Sequence, residues 1–255
     1  MVGRVIWVGI STVIELMKDR TIAGFFLIGT FTIMLGYVIA EMAVVERMKM
    51  FVDTCMGGIF IVSVLITLMA GANVINREIR DNEFLCTLSK PLPRSAWMIG
   101  KTGGFLVTLG VLIFSLTLFG FFYIHITTNV WVHELFLGGL LLYLEMIVLC
   151  SYTALFSTIT SQYLSIFFGM LVLVIGHMVD DLKIYWASEQ LASRTLTKTL
   201  FYIFPDLKAF LTGPVVHGYS QIPANQFVTL TLYSLAYLVT AVVLSVMVMN
   251  RKELG

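Results

Sequence analysis

Charge is what this sequence has least of. Of its 255 residues only 12% are Asp, Glu, Lys or Arg, while 58% are hydrophobic; an ordinary soluble domain carries roughly 25% charged residues. So little polar surface cannot keep a globule of this length in water. The mean hydropathy of +0.93 makes the bilayer the natural solvent. Cysteine is scarce as well. Cys55, Cys86 and Cys150 form no CxxC or other metal-ligand spacing, so they read as small apolar side chains rather than as a metal site. The net charge of +1 gives no reason to expect a nucleic-acid partner. The charges among the first 20 residues, with no small-residue cleavage site after them, argue against a cleavable signal peptide. Internal repeats and low-complexity tracts are absent.

Catalytic signatures are missing too. There is no HExxH metal helix, no GxSxG elbow and no pair of aspartates within an apolar stretch, which argues against an intramembrane protease or lipid transferase. Gly100-Lys101-Thr102 looks like the end of a phosphate-binding loop, but that loop needs a glycine five positions earlier, where Ser95 stands. No strand precedes it, and Ala96-Trp97-Met98-Ile99 reads as the start of a membrane helix.

What is present is a set of six apolar stretches, at about 21–40, 54–75, 102–124, 135–159, 163–179 and 226–248. A spanning helix needs roughly 20 mostly apolar residues, so the expected fold is all-α and polytopic, with six spans and little chain left for a soluble domain. If both ends face the cytoplasm, ten Lys and Arg residues lie on that side and six on the other. The positive-inside bias therefore favours that orientation, in a plasma membrane or bacterial inner membrane. Residues 3–20 differ in kind. Val5, Val8, Ile10, Val13, Ile14 and Met17 recur with roughly helical spacing, Trp7 is an interfacial anchor type, and Glu15, Lys18, Asp19 and Arg20 close the stretch. This pattern predicts an amphipathic helix lying on the membrane face rather than a seventh span. The region 180–225 is the one sizeable part outside the spans. Apolar residues around Pro205, followed by Gly213-Pro214, predict short helices that dip into the bilayer and return.

The loop 76–101 carries the most chemistry per residue. It opens with Arg77, Glu78, Arg80, Asp81 and Glu83. A short helical patch follows in which Phe84, Leu85 and Leu88 share a face, and Lys90-Pro91 and Pro93 stop it. Exposed Phe and Leu fenced by charge suit docking onto another protein; the plainer reading is a basic linker.

Together these segments resemble the permease subunits of ABC-2 type ATP-binding-cassette transporters. Glu15-Leu16-Met17-Lys18-Asp19-Arg20 is similar to the family's charged E-L-x-R-D-R stretch before the first span. Glu78, Leu85, Leu88, Ser89, Pro91, Arg94, Gly100 and Lys101 fall in register with its loop between spans two and three, with Asn82 where the family often has glycine. Phe204-Pro205-Asp206 resembles the proline-bearing stretch before the last span, and Asn250 to Leu254 the basic end of that span. The resemblance implies a dimerising subunit, pairing with a second copy of itself or a paralogue. It also implies a separate ATP-binding cassette subunit on the cytoplasmic face, with no cofactor and no ATP hydrolysis in this chain. It further implies a coupling helix containing Glu83, Phe84, Leu85, Leu88 and Ser89, and export rather than uptake. An alternative that shares every motif is an ATPase-driven machine that assembles an envelope or surface structure.

One acidic residue stands inside a span. Glu145, in Leu144-Glu145-Met146, meets a cost of about 2.5–3.5 kcal/mol for a charge at a helix centre. It must face a polar cavity or partner, or carry a proton. It lines a translocation path or makes a buried contact between spans, and no cation is evident at its depth in another span. Asn73 reads as a helix-packing contact. His177 and Asp180-Asp181 read as the solvated outer end of span five.

Overall fold

A backbone in hydrocarbon must close its hydrogen bonds on itself, and for a chain without alternating apolar strands that means helices. The computed structural model describes residues 2–43, 46–80, 94–187, 204–210 and 224–251. Within them the elements are α1 (Val2–Met17), α2 (Arg20–Met42), α3 (Arg47–Arg80), α4 (Arg94–Thr128), α5 (Glu134–Ile159), α6 (Gln162–Ala187), a 3-10 turn (Lys208–Phe210) and α7 (Ala224–Arg251). No strand occurs among the described residues. Six of the helices are long and apolar enough to cross a membrane, with best-window hydropathies from 1.8 to 2.4. The protein is therefore an all-helical integral membrane protein.

Each helix contains the corresponding apolar stretch, but several outrun it. α3 has 34 residues and α4 has 35, about 51 Å each at 1.5 Å per residue, against about 30 Å of hydrocarbon. The apolar run ends where water begins, whereas the helix continues through Asn76 to Arg80 and begins at Arg94, before the apolar run. Both helices thus overhang on the side of residues 81–93. Turn chemistry sets the other ends. Asp19 caps α2 by accepting from the Thr21 N–H at 2.8 Å. Asn129, with φ 55°, takes the left-handed conformation that follows α4, which asparagine tolerates.

α5 is the axis of the bundle. Of its most apolar window 72% is buried, compared with 22% for α2, 28% for α6 and 22% for α7. It packs against α3, α4, α6 and α7. Leu135, Leu141, Leu142, Met146, Val148 and Leu149 are shielded by these neighbours. The peripheral helices leave large side chains bare, among them Leu27, Phe31 and Val38 on α2, Phe167 and Met170 on α6, and Leu232 and Val239 on α7. In water such surfaces would drive aggregation; against lipid tails they cost nothing. Hydroxyls follow the same logic. Ser63, Thr67, Thr117, Ser151, Thr153 and Ser234 each donate to the carbonyl four residues back at 2.7–2.9 Å, so that none of these O–H groups is orphaned in an apolar setting.

α1 does not lie apart from the bundle; it packs closely on α4. The contact is made by glycine. A Cβ on Gly104 would stand 2.5 Å from the Gly9 carbonyl oxygen, and one on Gly100 would stand 2.8 Å from Val8 side-chain atoms and 3.0 Å from the Val5 oxygen. Gly100 and Gly104 are the small-xxx-small spacing that lets two helix backbones touch. This explains Gly100 without a nucleotide. Val8, Thr12 and Leu16 are buried, whereas Ile6, Trp7, Ile10, Ile14 and Met17 face outward. Replacing Gly104 by Val should force α1 off α4, at a cost of about 1–3 kcal/mol for overpacking. The expected readout is faster amide exchange across residues 2–17 and a lower thermal midpoint in detergent. Exchange as slow as in the wild type would show that the backbones do not touch.

Candidate functional site

α5 and α6 form a hairpin whose turn is only Thr160-Ser161. The Thr160 N–H closes α5 on Phe156 O at 2.8 Å, and Ser165 Oγ donates back to Thr153 O at 3.1 Å. In so tight a hairpin, residues equally far from the turn lie at equal depth. Glu145 is 15 residues before Thr160 and His177 is 16 after Ser161. They meet: His177 Nε2 stands 3.4 Å from Glu145 Oε1, with side-chain exposures of 31% and 5%. The polar residue at Glu145's depth is thus a histidine on the next helix. His177 stands two residues before the end of the apolar window Gln162–Val179 and is partly exposed, while the helix itself continues to Ala187. Asp180 and Asp181 also lie within that helix.

Local geometry orients the imidazole. Its Nδ1 lies 3.1 Å from Leu173 O, an oxygen that can only accept, which assigns the proton to Nδ1 and turns Nε2 toward the carboxyl group. The ring also meets Phe60 of α3 edge-on, with centroids 5.8 Å apart. The 3.4 Å separation from Glu145 is longer than the roughly 2.7–3.2 Å of a formed N–H···O bond. Accordingly Glu145 Oε1 is buried without a hydrogen bond. The imidazole thus stands beside the carboxyl group yet leaves one oxygen under-satisfied within the bundle.

Beside this pair sits the proline-bearing segment. Pro205, Leu207 and Phe210 are buried, and the 3-10 turn packs on α5 and α6. The Leu207 N–H donates to Gly176 O at 3.1 Å, and the Asp206 N–H donates to the Tyr233 hydroxyl of α7 at 2.9 Å. Gly176 is required for this docking. An added Cβ would lie 2.7 Å from Leu207 Cγ and 2.9 Å from Pro205 O. Tyr233 continues to Tyr237, with hydroxyls 3.4 Å apart, and Tyr237 packs on Tyr152 of α5 with centroids 5.8 Å apart. Tyr152 lies seven positions after Glu145, two turns along α5. Glu145, His177, segment 204–210 and these tyrosines therefore gather around one stretch of α5. Residues 188–203 and 211–223 of the expected membrane-dipping region lie outside the described residues.

A second polar group is at the α1 end. Lys101 Nζ lies 3.3 Å from Glu15 Oε2, with the lysine side chain only 6% exposed. This joins the charged stretch before α2 to the helix that follows residues 81–93. Glu15, Lys18, Asp19 and Arg20 face Ala70, Asn73 and Val74 across a cleft of about 380 Å³. Asn73 thus lines a cleft. The polar packing contact of α3 comes from Asn76 instead, whose Nδ2 donates to Ser157 Oγ at 2.7 Å. Ser157 in turn donates to Ala72 O at 3.0 Å. Glu83, Phe84, Leu85, Leu88 and Ser89 lie outside the described residues. Cys55 and Cys150 are buried free thiols, and the described residues hold no His, Cys, Asp or Glu cluster fit for a metal.

Gly176→Ala should displace segment 204–210 from α6 while leaving the six long helices intact. Amide exchange at residues 204–210 is expected to accelerate with helical circular dichroism unchanged. Protection equal to the wild type would show that Gly176 does not seat the segment.

Comparison with protein-family models and with curated proteins returns no match, so the chain's place among known proteins rests on its residues and their arrangement alone.

Proposed function

We propose that this chain is the membrane-spanning subunit of an ABC-2 type ATP-binding-cassette exporter, moving substrate by alternating access driven by a separate ATP-binding subunit. The observation that carries this reading is the bonding of α1 to α4. In the proposed arrangement α1 is an interfacial helix on the cytoplasmic face, and α3 and α4 present residues 81–93 to the ATPase. The Lys101–Glu15 pair at 3.3 Å and the glycine contacts at Gly100 and Gly104 then join the docking loop to the interfacial helix. A stroke on the loop is delivered to α4 and α1 together. Six spans return both ends to the cytoplasm, in keeping with the excess of Lys and Arg there. Segment 204–210 is the membrane-dipping element before the last span.

In this scheme the chain hydrolyses nothing itself. Glu83, Phe84, Leu85, Leu88 and Ser89 form the coupling helix, and two copies, or one copy and a paralogue, enclose the path. Glu145 is the residue of this chain assigned to that path. Its neighbours support the assignment: a buried acid stands beside an imidazole, with tyrosine hydroxyls further along the same helix. Intramembrane ionisable residues of this kind mark translocation or proton routes.

Two outcomes test this reading. Replacing Phe84 and Leu85 with Glu should release the ATPase subunit while the spans stay folded, measured by co-purification from membranes; full retention of the ATPase would remove the coupling-helix assignment. Glu145→Gln should preserve assembly with the ATPase and change substrate export by about tenfold or more, the size of effect expected when a group with several kcal/mol of desolvation at stake is neutralised. Export indistinguishable from wild type across pH would exclude Glu145 from the path.

A further inference from the structure

We infer that Glu145 and His177 form a binding site for a single proton, and that its occupancy decides whether segment 204–210 stays docked on α6. The inference adds a ligand and a regulatory consequence to the residue assigned above to the path. It concerns the chain by itself, so it is independent of the ATPase partner.

Counting protons gives the first step. With Nδ1 committed to Leu173 O at 3.1 Å, the pair has one remaining place for a proton, between Nε2 and Oε1. If that place is filled, the pair is either imidazolium with carboxylate or imidazole with carboxylic acid. Both forms have zero net charge. If it is empty, a nitrogen lone pair faces an oxygen lone pair at 3.4 Å, and the site carries one negative charge in a residue only 4% exposed. A buried ion without a partner is the costlier state. Losing the proton therefore means an N–H or O–H bond breaks, the proton passes to water, and the seam must admit water or separate to solvate what remains.

The surroundings set where the seam yields. On the α3 side His177 meets the apolar ring of Phe60, which offers no compensating charge. Asp180, Asp181 and Lys183 follow His177 on α6; other titratable groups on the elements around the pair include Asp53 and Cys55 on α3, Lys101, Tyr123 and His125 on α4, Glu134, Tyr143, Cys150 and Tyr152 on α5, Asp206 and Lys208 around the 3-10 turn, and Tyr233 and Tyr237 on α7. Lys101 is held by Glu15 at 3.3 Å. Among the described residues the one ion-pair partner of Glu145 is His177. Segment 204–210 docks at the neighbouring residue, through Leu207 N–H on Gly176 O and through side-chain contacts that leave no room for a Cβ there. A shift of α6 at His177 is thus a shift of the surface on which Leu207 and Pro205 rest. Proton loss unseats the segment; proton binding reseats it.

The test is amide exchange on the full chain in nanodiscs of phosphatidylethanolamine and phosphatidylglycerol, corrected for the chemical pH dependence of exchange. In the wild type, protection of residues 204–210 should fall as pH rises, by about tenfold per pH unit once the proton is leaving, the slope of a one-proton equilibrium. Glu145→Gln, whose amide cannot lose that proton, should stay protected at every pH. Gly176→Ala should be unprotected at every pH, because its docking fails for steric reasons. In His177→Gln the Glu145 carboxyl can still lose its proton but has no imidazole to share it, so a pH dependence should remain, displaced along the pH axis; an undisplaced profile would remove His177 from the site. A wild-type segment whose protection ignores pH would overturn the proposal, even if either variant failed to fold. So would an equal pH dependence in Glu145→Gln.

Discussion

Hydrocarbon offers no hydrogen bonds, and most of this structure answers that constraint. The backbone closes into helices because nothing else satisfies its N–H and C=O groups at membrane depth. Serine and threonine hydroxyls fold back onto carbonyls one turn away. Asn76 reaches Ser157, and Ser157 reaches Ala72 O, so an amide becomes a clasp between α3 and α5. Where small residues allow, backbones approach directly, as at Gly9 and Gly104. Against this background an under-satisfied carboxyl oxygen on the most buried helix is conspicuous. It is one of the places where the general solution is withheld, Asp206 Oδ1 and Ser245 Oγ being others, and an imidazole stands 3.4 Å from it.

The arrangement also separates two tasks by position along the bundle. Polar contacts near the α1 end tie α1, α3 and α4 together around Glu15, Lys101 and the cleft at Asn73. Polar contacts around Glu145 tie α5, α6, α7 and the 3-10 turn. α5 also packs on α3 and α4, so its buried face, including Leu141, Met146 and Leu149, lies between the two groups. Close packing of that kind transmits displacement because the interior has little free volume to absorb it. In the proposed transport cycle this core is the physical link between loop and path.

Much of the fold is legible in the sequence because a single property, apolarity, reports the solvent directly. The six stretches emerge from it. Their helix ends do not, since hydropathy marks the water boundary whereas Arg47–Lys49 and Asn76–Arg80 continue the helix beyond it. Glu145 is conspicuous in sequence because its neighbours are apolar. His177 is not, since a histidine three residues before Asp180-Asp181 looks like a helix end. The available signal was the two-residue turn at Thr160-Ser161, which fixes the depth register of α5 and α6. Gly100 and Gly104 have the small-xxx-small spacing of touching helices, at a point where Gly100-Lys101-Thr102 also resembles the end of a nucleotide loop. Their partner Gly9 is 91 positions from Gly100, a contact that only tertiary structure reveals. Segment 204–210 was visible as a proline-bearing break, while its seat on Gly176 depends on an absent Cβ that no local pattern announces.

The contact between α1 and α4 has a mechanical consequence. Two helices whose main chains touch cannot slide past each other without first lifting apart, and the Lys101–Glu15 bond, spanning 86 positions of sequence, resists that lifting. The chain's first helix is therefore, in effect, an outrigger on its third apolar span. Its bare face of Ile6, Trp7, Ile10 and Ile14 works as a keel. Any tilt of α4 has to drag that keel through the surrounding medium, so viscosity there becomes a brake on how fast the bundle can rearrange.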